Sequence, residues 1–389
     1  MTRKLYYEDA YIKKFSAELI SCEPTDGGFD AILDRTAFFP EEGGQSSDTG
    51  LIGDATVSYV YEKDGVIHHI LDRELCLGTV NCSLNFDDRF DKMQNHTAEH
   101  ILSGLIHSLY GFDNVGFHIG DGEVTFDVSA PLSEEQLSEL ERLANEAVYS
   151  NLPVETAFPT KDELPSLEYR AKLELTENVR IVKIGDIDSC ACCAPHVSTT
   201  GQIGLIKILE FMKHRGGVRV WIAAGRRALS DYCEKQTNIK KISAMLSVPR
   251  AECASATEKY IKTTEDLKYE LKATKEKLAI AFADTVIPTE GNAVYAFEEL
   301  SKDELCHFVN SALPKIGGIL VALSGSDGDY KYLIASSSTD LRPIIKEANL
   351  TLSGRGGGKP EAVQGSFAAT FEQIKSYFVS QYQPKSNTF

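Results

Sequence analysis

Two imidazoles stand four residues apart in Asn95-His96-Thr97-Ala98-Glu99-His100-Ile101-Leu102-Ser103-Gly104-Leu105. Ile101, Leu102 and Leu105 give the run helical character. With 3.6 residues per turn, His96 and His100 project from one face and can hold a single ion. Two histidines make half of a tetrahedral site. The other half is available in Cys190-Ala191-Cys192-Cys193-Ala194-Pro195-His196, where Cys192 and His196 repeat the four-residue spacing. Three imidazole nitrogens and one thiolate suit Zn2+. Cys190 and Cys193 lie close enough to compete with Cys192, and Pro195 stiffens the approach to His196. Four protein ligands describe a closed, structural site; a catalytic one needs a displaceable ligand or an expanded coordination shell. The lone histidines His107, His118 and His307 are read as structural.

Three other constellations bear on the chemistry. His96-Thr97-Ala98-Glu99-His100 matches His-x-x-Glu-His, the inverted zinc-protease motif, with Glu99 as general base; on that reading Cys192 and His196 have no role. Thr36-Ala37-Phe38-Phe39-Pro40-Glu41-Glu42-Gly43-Gly44-Gln45 offers a hydroxyl, an amide and a Gly-Gly step that permits close backbone approach. Its plain alternative is a β-turn. Arg355-Gly356-Gly357-Gly358-Lys359 places two cations in a glycine cluster that can wrap a phosphate or a nucleic-acid backbone. It is not a Walker A loop, because no Gly-Lys-Ser/Thr closes it; a flexible tip is the plain alternative.

The elements that must position these residues follow from periodicity and turn signals. The expected fold is α+β and multidomain, in four segments. Residues 1–88 read as a β-barrel, with strands at 17–21, 29–33, 55–61, 65–71 and 78–85 between Gly, Asp and Pro turns. Residues 89–225 read as an α+β metal-binding domain. In it the His-bearing helix begins after Arg89 and ends at Gly111, a hairpin turns at Gly120-Asp121-Gly122, and Ser133 caps a second helix. Strands are expected at 180–184, 203–211 and 218–223. Residues 226–284 are charged and helix-forming, with Tyr260, Thr264, Leu267, Leu271, Thr274, Leu278 and Ala281 on alternating three- and four-residue steps. That pattern predicts a helical hairpin kinked near Pro249, or a dimerising coiled coil. Residues 285–389 read as an α/β unit with strands at 292–297, 318–325 and 330–336 and helices at 301–313 and 341–348.

Length and composition set the outer bounds. At 389 residues the chain predicts about two to four domains. A hydrophobic content of 42% is ample for packed cores. No apolar run reaches membrane-span length, and Met1 to Asp9 lacks the apolar core of a signal peptide, so no membrane partner and a cytoplasmic location are expected. Of the nine cysteines only Cys190, Cys192 and Cys193 cluster, which in a reducing compartment indicates metal ligands or reactive groups. The net charge of -17 opposes indiscriminate nucleic-acid binding but leaves local basic patches free to act, at Lys213-His214-Arg215 with Arg219 and at Arg355 with Lys359.

The combination of Asn95 to Leu102, Cys192-Cys193-Ala194-Pro195-His196-Val197, Thr200-Gly201-Gln202-Ile203-Gly204 and the Thr36–Gln45 loop resembles the editing domain of alanyl-tRNA synthetases. It equally resembles their free-standing relatives, the alanyl-tRNA editing proteins of the AlaX type. Arg355 to Pro360 resembles the glycine-rich element of the DHHA1 domain that follows the editing domain in those synthetases. The motifs occur in the family's order over nearly the whole chain. Two departures stand out: Cys193-Ala194-Pro195 replaces the usual Gly-Gly-Thr, and Glu42 stands where a third glycine is common. The resemblance begins at the barrel, with no room for a class II aminoacylation core, so a free-standing protein is expected.

That resemblance implies a trans-editing hydrolase that deacylates tRNA-Ala mischarged with serine, and with glycine as a further candidate. It implies zinc at His96, His100, Cys192 and His196, serine sensing by Thr36 and Gln45, and proton transfer assisted by Glu99. Arg355, Gly356, Gly357, Gly358 and Lys359 would grip tRNA, the helical segment would space the domains, and that segment or the C-terminal domain would form a homodimer. Two other readings stay open: a non-catalytic tRNA- or protein-binding module with a structural zinc, and editing of a different mischarged tRNA.

Overall fold

The structure, a computed structural model, describes residues 1–120, 122–171 and 179–381. The chain forms two compact units, Met1–Lys241 and Ile242–Phe389. In the first, β1 (Arg3–Lys4) pairs in parallel with β4 (Arg35–Thr36). The expected barrel is closed by β2 (Lys14–Thr25), β3 (Gly28–Leu33), β5 (Gly50–Ile52), β6 (Ala55–Lys63), β7 (Val66–Leu71) and β8 (Gly78–Leu84). Its strand order is β2-β3-β7-β6-β5-β8. Period-two alternation turns Ala31, Leu33, Ile67 and Leu71 inward onto Phe38, Ile52 and Val60.

Helix α1 (Phe86–Tyr110) starts a turn earlier than expected, with Asp87 and Asp88 complementing its N-terminal dipole, and Gly111 closes it as expected. Arg89 therefore lies inside the helix, fully buried. It forms an ion pair with Asp48, with Nε 2.9 Å from Oδ1, and its Nη2 donates to Ala37 O at 2.6 Å. One turn on, Lys92 Nζ donates to Ser47 O at 2.7 Å. Two cations thus bolt the start of α1 onto the segment that carries Gln45.

Around α1 stand β9 (Asn114–Ile119), β10 (Val124–Val128), α2 (Glu134–Tyr149), β11 (Val154–Ala157), β12 (Ile181–Ile184), β13 (Asp188–Ala191), β14 (Ile206–His214) and β15 (Gly217–Ala224). They form two sheets, ordered β14-β15-β10-β9 and β11-β12-β13. The β9–β10 hairpin is antiparallel as expected, although Asp121 of its turn falls outside the described residues. Ser133 caps α2 in a reciprocal capping box with Gln136. The shared core holds Ile101, Leu102, Ile106, Phe126, Leu140, Ile184 and Val220. Each such side chain contributes about 1.5–3 kcal/mol on burial. At Gly104 a Cβ would sit 2.4 Å from Ile187 O and 2.7 Å from Asp188 Cβ, so only glycine lets β13 press against α1.

The helical run divides into α3 (Gly225–Leu246) and α4 (Cys253–Asp284), broken where Pro249 predicted. The stripe on α4 lies open, with Tyr260, Leu267 and Leu271 all exposed, while Ala279 and Ala283 are buried in the second unit. That unit contains β16 (Ala293–Phe297), α5 (Lys302–Ala312), β17 (Ile319–Ser326), β18 (Asp329–Ser336), α6 (Leu341–Thr351), β19 (Gly354–Lys359), β20 (Ala362–Phe367) and α7 (Phe371–Ser376). Its sheet runs β16-β17-β18-β20-β19 and is buried on both faces. The glycine cluster is therefore not a flexible tip. Residues Gly354–Lys359 form an edge strand paired with β20, and a Cβ at Gly356 would meet Tyr332 Oη at 2.3 Å. Glycine is ordinarily disfavoured in strands; here the close passage of a tyrosine hydroxyl requires it.

Candidate metal centre

His96, His100, Cys192 and His196 come together from two elements, with one ligand atom of each within 4.8 Å of all the others. Helix α1 supplies the two histidines, and the segment after β13 supplies Cys192 and His196. Cys192 Sγ lies 3.3 Å from His196 Nε2 and 3.6 Å from His96 Nε2. A tetrahedral ion with a Zn–S bond of about 2.3 Å and Zn–N bonds of about 2.0–2.1 Å sets its sulfur and nitrogens about 3.5 Å apart. The donor set and its spacing fit zinc. Of the competing cysteines, Cys190 falls in a separate group with His100 and Asp188, and Cys193 lies near Gly43, where a Cβ would be 3.4 Å from its Sγ.

Each imidazole is oriented through its other nitrogen. His96 Nδ1 is 2.9 Å from the amide oxygen of Gln45, and His100 Nδ1 is 2.9 Å from Asp188 Oδ2. His196 Nδ1 is 3.0 Å from Thr97 Oγ1, whose own proton goes to Met93 O at 2.8 Å. All three partners accept, so each Nδ1 carries the hydrogen and each Nε2 presents its lone pair to the common point. Arg170 in turn grips Asp188 with two bonds of 2.7 and 3.0 Å.

Burial raises a thiol, but the neighbouring His96 and His196, and hydrogen-bonding contact with His100 and His196, hold Cys192 well below the ordinary thiol range. Burial pushes His196 down to about 3, so it is neutral and able to ligate. Burial also opposes charging of His100, yet its bond to Asp188 and the neighbouring Cys192 raise it. Burial is the largest cause of the rise at both Cys190 and Cys193; at Cys190 the neighbouring His100 and Arg170 oppose it without reversing it, and at Cys193 the nearby Cys192 and Glu42 add to it.

The remaining expected site residues are placed as follows. Gln45 is fully buried; its Oε1 takes the His96 proton and its Nε2 has no partner, which leaves a donor available. Thr36 sits inside the barrel, where its Oγ1 is 2.9 Å from His69 Nε2 and accepts from Phe38 N at 3.1 Å. Among the described residues no hydrogen bond joins Thr36 to Gln45 or to the four ligands. Glu99 is buried rather than solvated, and its Oε1 accepts from Ser103 and Asn114. The protease reading loses its footing here, since the Cys192–His196 pair it left idle completes the quartet. In the second unit, Gly356, Gly357 and Gly358 line a cleft of about 390 Å³ with Arg342 and Lys346 of α6. Sequence reading missed Thr97, Arg170, Arg180 and Asp188. Of these only Thr97 had a local signal, its place beside His96; the others are distant in sequence and follow no period.

This pairing of a histidine-bearing helix with a Cys–His segment has counterparts among known proteins. Residues 179–220, which hold Cys192 and His196, match the family described as "Threonyl and Alanyl tRNA synthetase second additional domain". The chain is 28% identical over 400 residues to the alanyl-tRNA editing protein AlaX-L of Pyrococcus horikoshii, covering 96% of each. It is 28% identical over 391 residues to the alanine–tRNA ligase of Archaeoglobus fulgidus, covering 94% of this chain and 42% of the ligase. Against the ligase of Halobacterium salinarum it is 32% identical over 352 residues, covering 84% of this chain and 38% of that one. It therefore spans less than half the length of those ligases. A solved C-Ala domain of Aquifex aeolicus alanyl-tRNA synthetase matches 22% of this chain at 22% identity and a TM-score of 0.20, which carries no argument. The chain is thus similar over nearly its whole length to an AlaX-type alanyl-tRNA editing protein. Among its described residues no helix is long and apolar enough to cross a membrane.

Proposed function

We propose that this chain is a cytoplasmic trans-editing hydrolase that removes serine, and glycine as a further candidate, from mischarged tRNA-Ala. The observation that carries the reading is the buried quartet of His96, His100, Cys192 and His196, in a chain similar from end to end to an alanyl-tRNA editing protein. A zinc ion held there supplies, when bound, Lewis acidity beside the ester and a contact for the substrate's amino group or water.

The chain's own residues supply selection and positioning. Gln45 fixes the His96 ring and retains an amide N–H for the substrate; with Thr36 it is assigned to the serine hydroxyl. A synthetase pocket built for alanine cannot strongly reject one extra hydroxyl, whereas a second site that bonds to that hydroxyl can select for it. Glu99 is assigned to proton transfer through Oε2, because Oε1 is engaged. Segments 1–88 and 89–225 form the editing half and 226–284 the spacer, with a second copy meeting along α4. Segment 285–389 is the DHHA1-like tRNA-gripping part, acting through Arg355, Gly356, Gly357, Gly358 and Lys359. The cationic cleft beside Gly356 supports that assignment.

The test is deacylation of serine-charged and alanine-charged tRNA-Ala, each with and without a chelator. Chelator-sensitive loss of serine with alanine spared is expected. Four protein ligands also fit a closed structural site; if folded, zinc-loaded protein cleaves neither ester, that binding-module reading replaces this one.

A further inference from the structure

The quartet's sulfur ligand is itself held by a residue outside the quartet. Arg180 stands just before β12 and is 7% exposed. Its Nη1 donates to Cys192 O at 2.9 Å and to Ala194 O at 2.8 Å, while Cys192 N donates to Arg180 O at 2.9 Å. One arginine therefore binds the amide and carbonyl of the ligating cysteine and the carbonyl two residues on. The Tyr7 ring lies 5.4 Å from its guanidinium carbon and limits its movement. Among the described residues no carboxylate pairs with Arg180. A buried guanidinium without a counter-ion is costly, and carbonyl bonds compensate it only in part.

The segment explains why such a clamp is needed. Cys192 and His196 are separated by Cys193-Ala194-Pro195 and lie in no regular strand or helix; beyond the backbone bond from Cys192 N to Arg180 O, which extends the β12–β13 pairing by one residue, no ladder holds the segment. His96 and His100 are set by a buried helix, and all three imidazoles are set by their Nδ1 partners. Among the described residues Cys192 has no side-chain partner outside the quartet; its placement rests on its backbone.

We propose that Arg180 is the positioning residue of the metal centre's thiolate ligand, holding the Cys192–Ala194 backbone so that Sγ meets the three imidazole nitrogens. This rests on the metal-centre reading above. The test uses the full chain loaded with Co2+, in wild type, Arg180→Gln, Arg180→Lys and the control Cys192→Ser. Metal affinity is measured by chelator competition, the near-ultraviolet thiolate-to-cobalt band reports the sulfur bond, and circular dichroism of the metal-free proteins reports the fold. Arg180→Gln is expected to fold, to bind cobalt about 10–100-fold more weakly, as loss of an outer-shell partner typically does, and to show a weakened sulfur band. Arg180→Lys, which keeps the charge but not the fork to two carbonyls, is expected to fall between. Wild-type affinity and an unchanged band in folded Arg180→Gln overturn the proposal. If that variant does not fold, Arg180→Lys decides: weaker binding upholds the clamp, and wild-type binding overturns it. A wild-type protein with no thiolate–cobalt band, or a Cys192→Ser variant that retains it, refutes the metal centre as drawn and the clamp with it.

Discussion

Replacing Gly104 with alanine sets two opposite effects against each other. In a helix interior alanine is favoured over glycine by about 0.5–1 kcal/mol, so an isolated α1 would gain. In this fold the new Cβ would lie 2.4 Å from Ile187 O, 2.7 Å from Asp188 Cβ and 3.1 Å from Ile187 C. Non-bonded carbon contacts settle at about 3.5–4.0 Å, so β13 must retreat by roughly an ångström. Overpacking of this kind costs about 1–3 kcal/mol, and contact with backbone rather than a flexible side-chain end favours the upper part of that range. The net expectation is a loss of about 1–2 kcal/mol in the metal-free protein, read from the urea midpoint. A second consequence follows from position. The retreating strand carries Asp188, whose Oδ2 is 2.9 Å from His100 Nδ1, so zinc affinity should fall by about 10–100-fold by chelator competition. A Gly104→Ala protein more stable than wild type, with unchanged zinc affinity, would refute the account of how β13 reaches the site.

Two further outcomes are expected. Arg89→Met leaves Asp48 buried without its cation, and should cost about 3–5 kcal/mol in urea unfolding, whereas changing both partners to apolar residues should cost less. His69 is fully buried, and burial pushes it from 6.5 down to about 4. It takes up a proton on unfolding, so its contribution is complete above pH 6.5 and is lost as pH falls through the folded value. At 1.36 kcal/mol per pH unit that is about 3 kcal/mol between pH 7 and pH 4. A folded His69→Gln variant should show a correspondingly flatter stability–pH profile; an identical profile would remove His69 as the cause.

Much of this architecture was legible because the signals were local. Alternation in Ala55 to Tyr61, the N-cap residue Ser133 and the four-residue spacing of His96 and His100 are each signals that a short window reveals. The apolar period of α1 marks its start only after Arg89, whereas the helix begins at Phe86, where Asp87 and Asp88 form the first turn. The three-residue strand Gly50–Ile52 is too short to carry a period. The glycine-rich strand Gly354–Lys359 runs against propensity, since the packing that demands it comes from Tyr332, outside the segment. The same limit applies at the site. The four ligands announce themselves by type and spacing, whereas Asp188 is 88 residues from His100 and Arg180 is an ordinary arginine before a strand. Their roles exist only once β13 is pressed onto α1 and the Cys192–Ala194 segment is folded back on β12.

The central claim is that His96, His100, Cys192 and His196 hold one metal ion together. X-ray absorption at the zinc edge of the purified full chain, with metal content per chain, tests it most directly. The account predicts one zinc per chain with three nitrogen neighbours at about 2.0–2.1 Å and a single sulfur at about 2.3 Å, the sulfur lost in Cys192→Ser. A zinc shell with no sulfur or with several, or a folded protein that holds no metal at all, would contradict it.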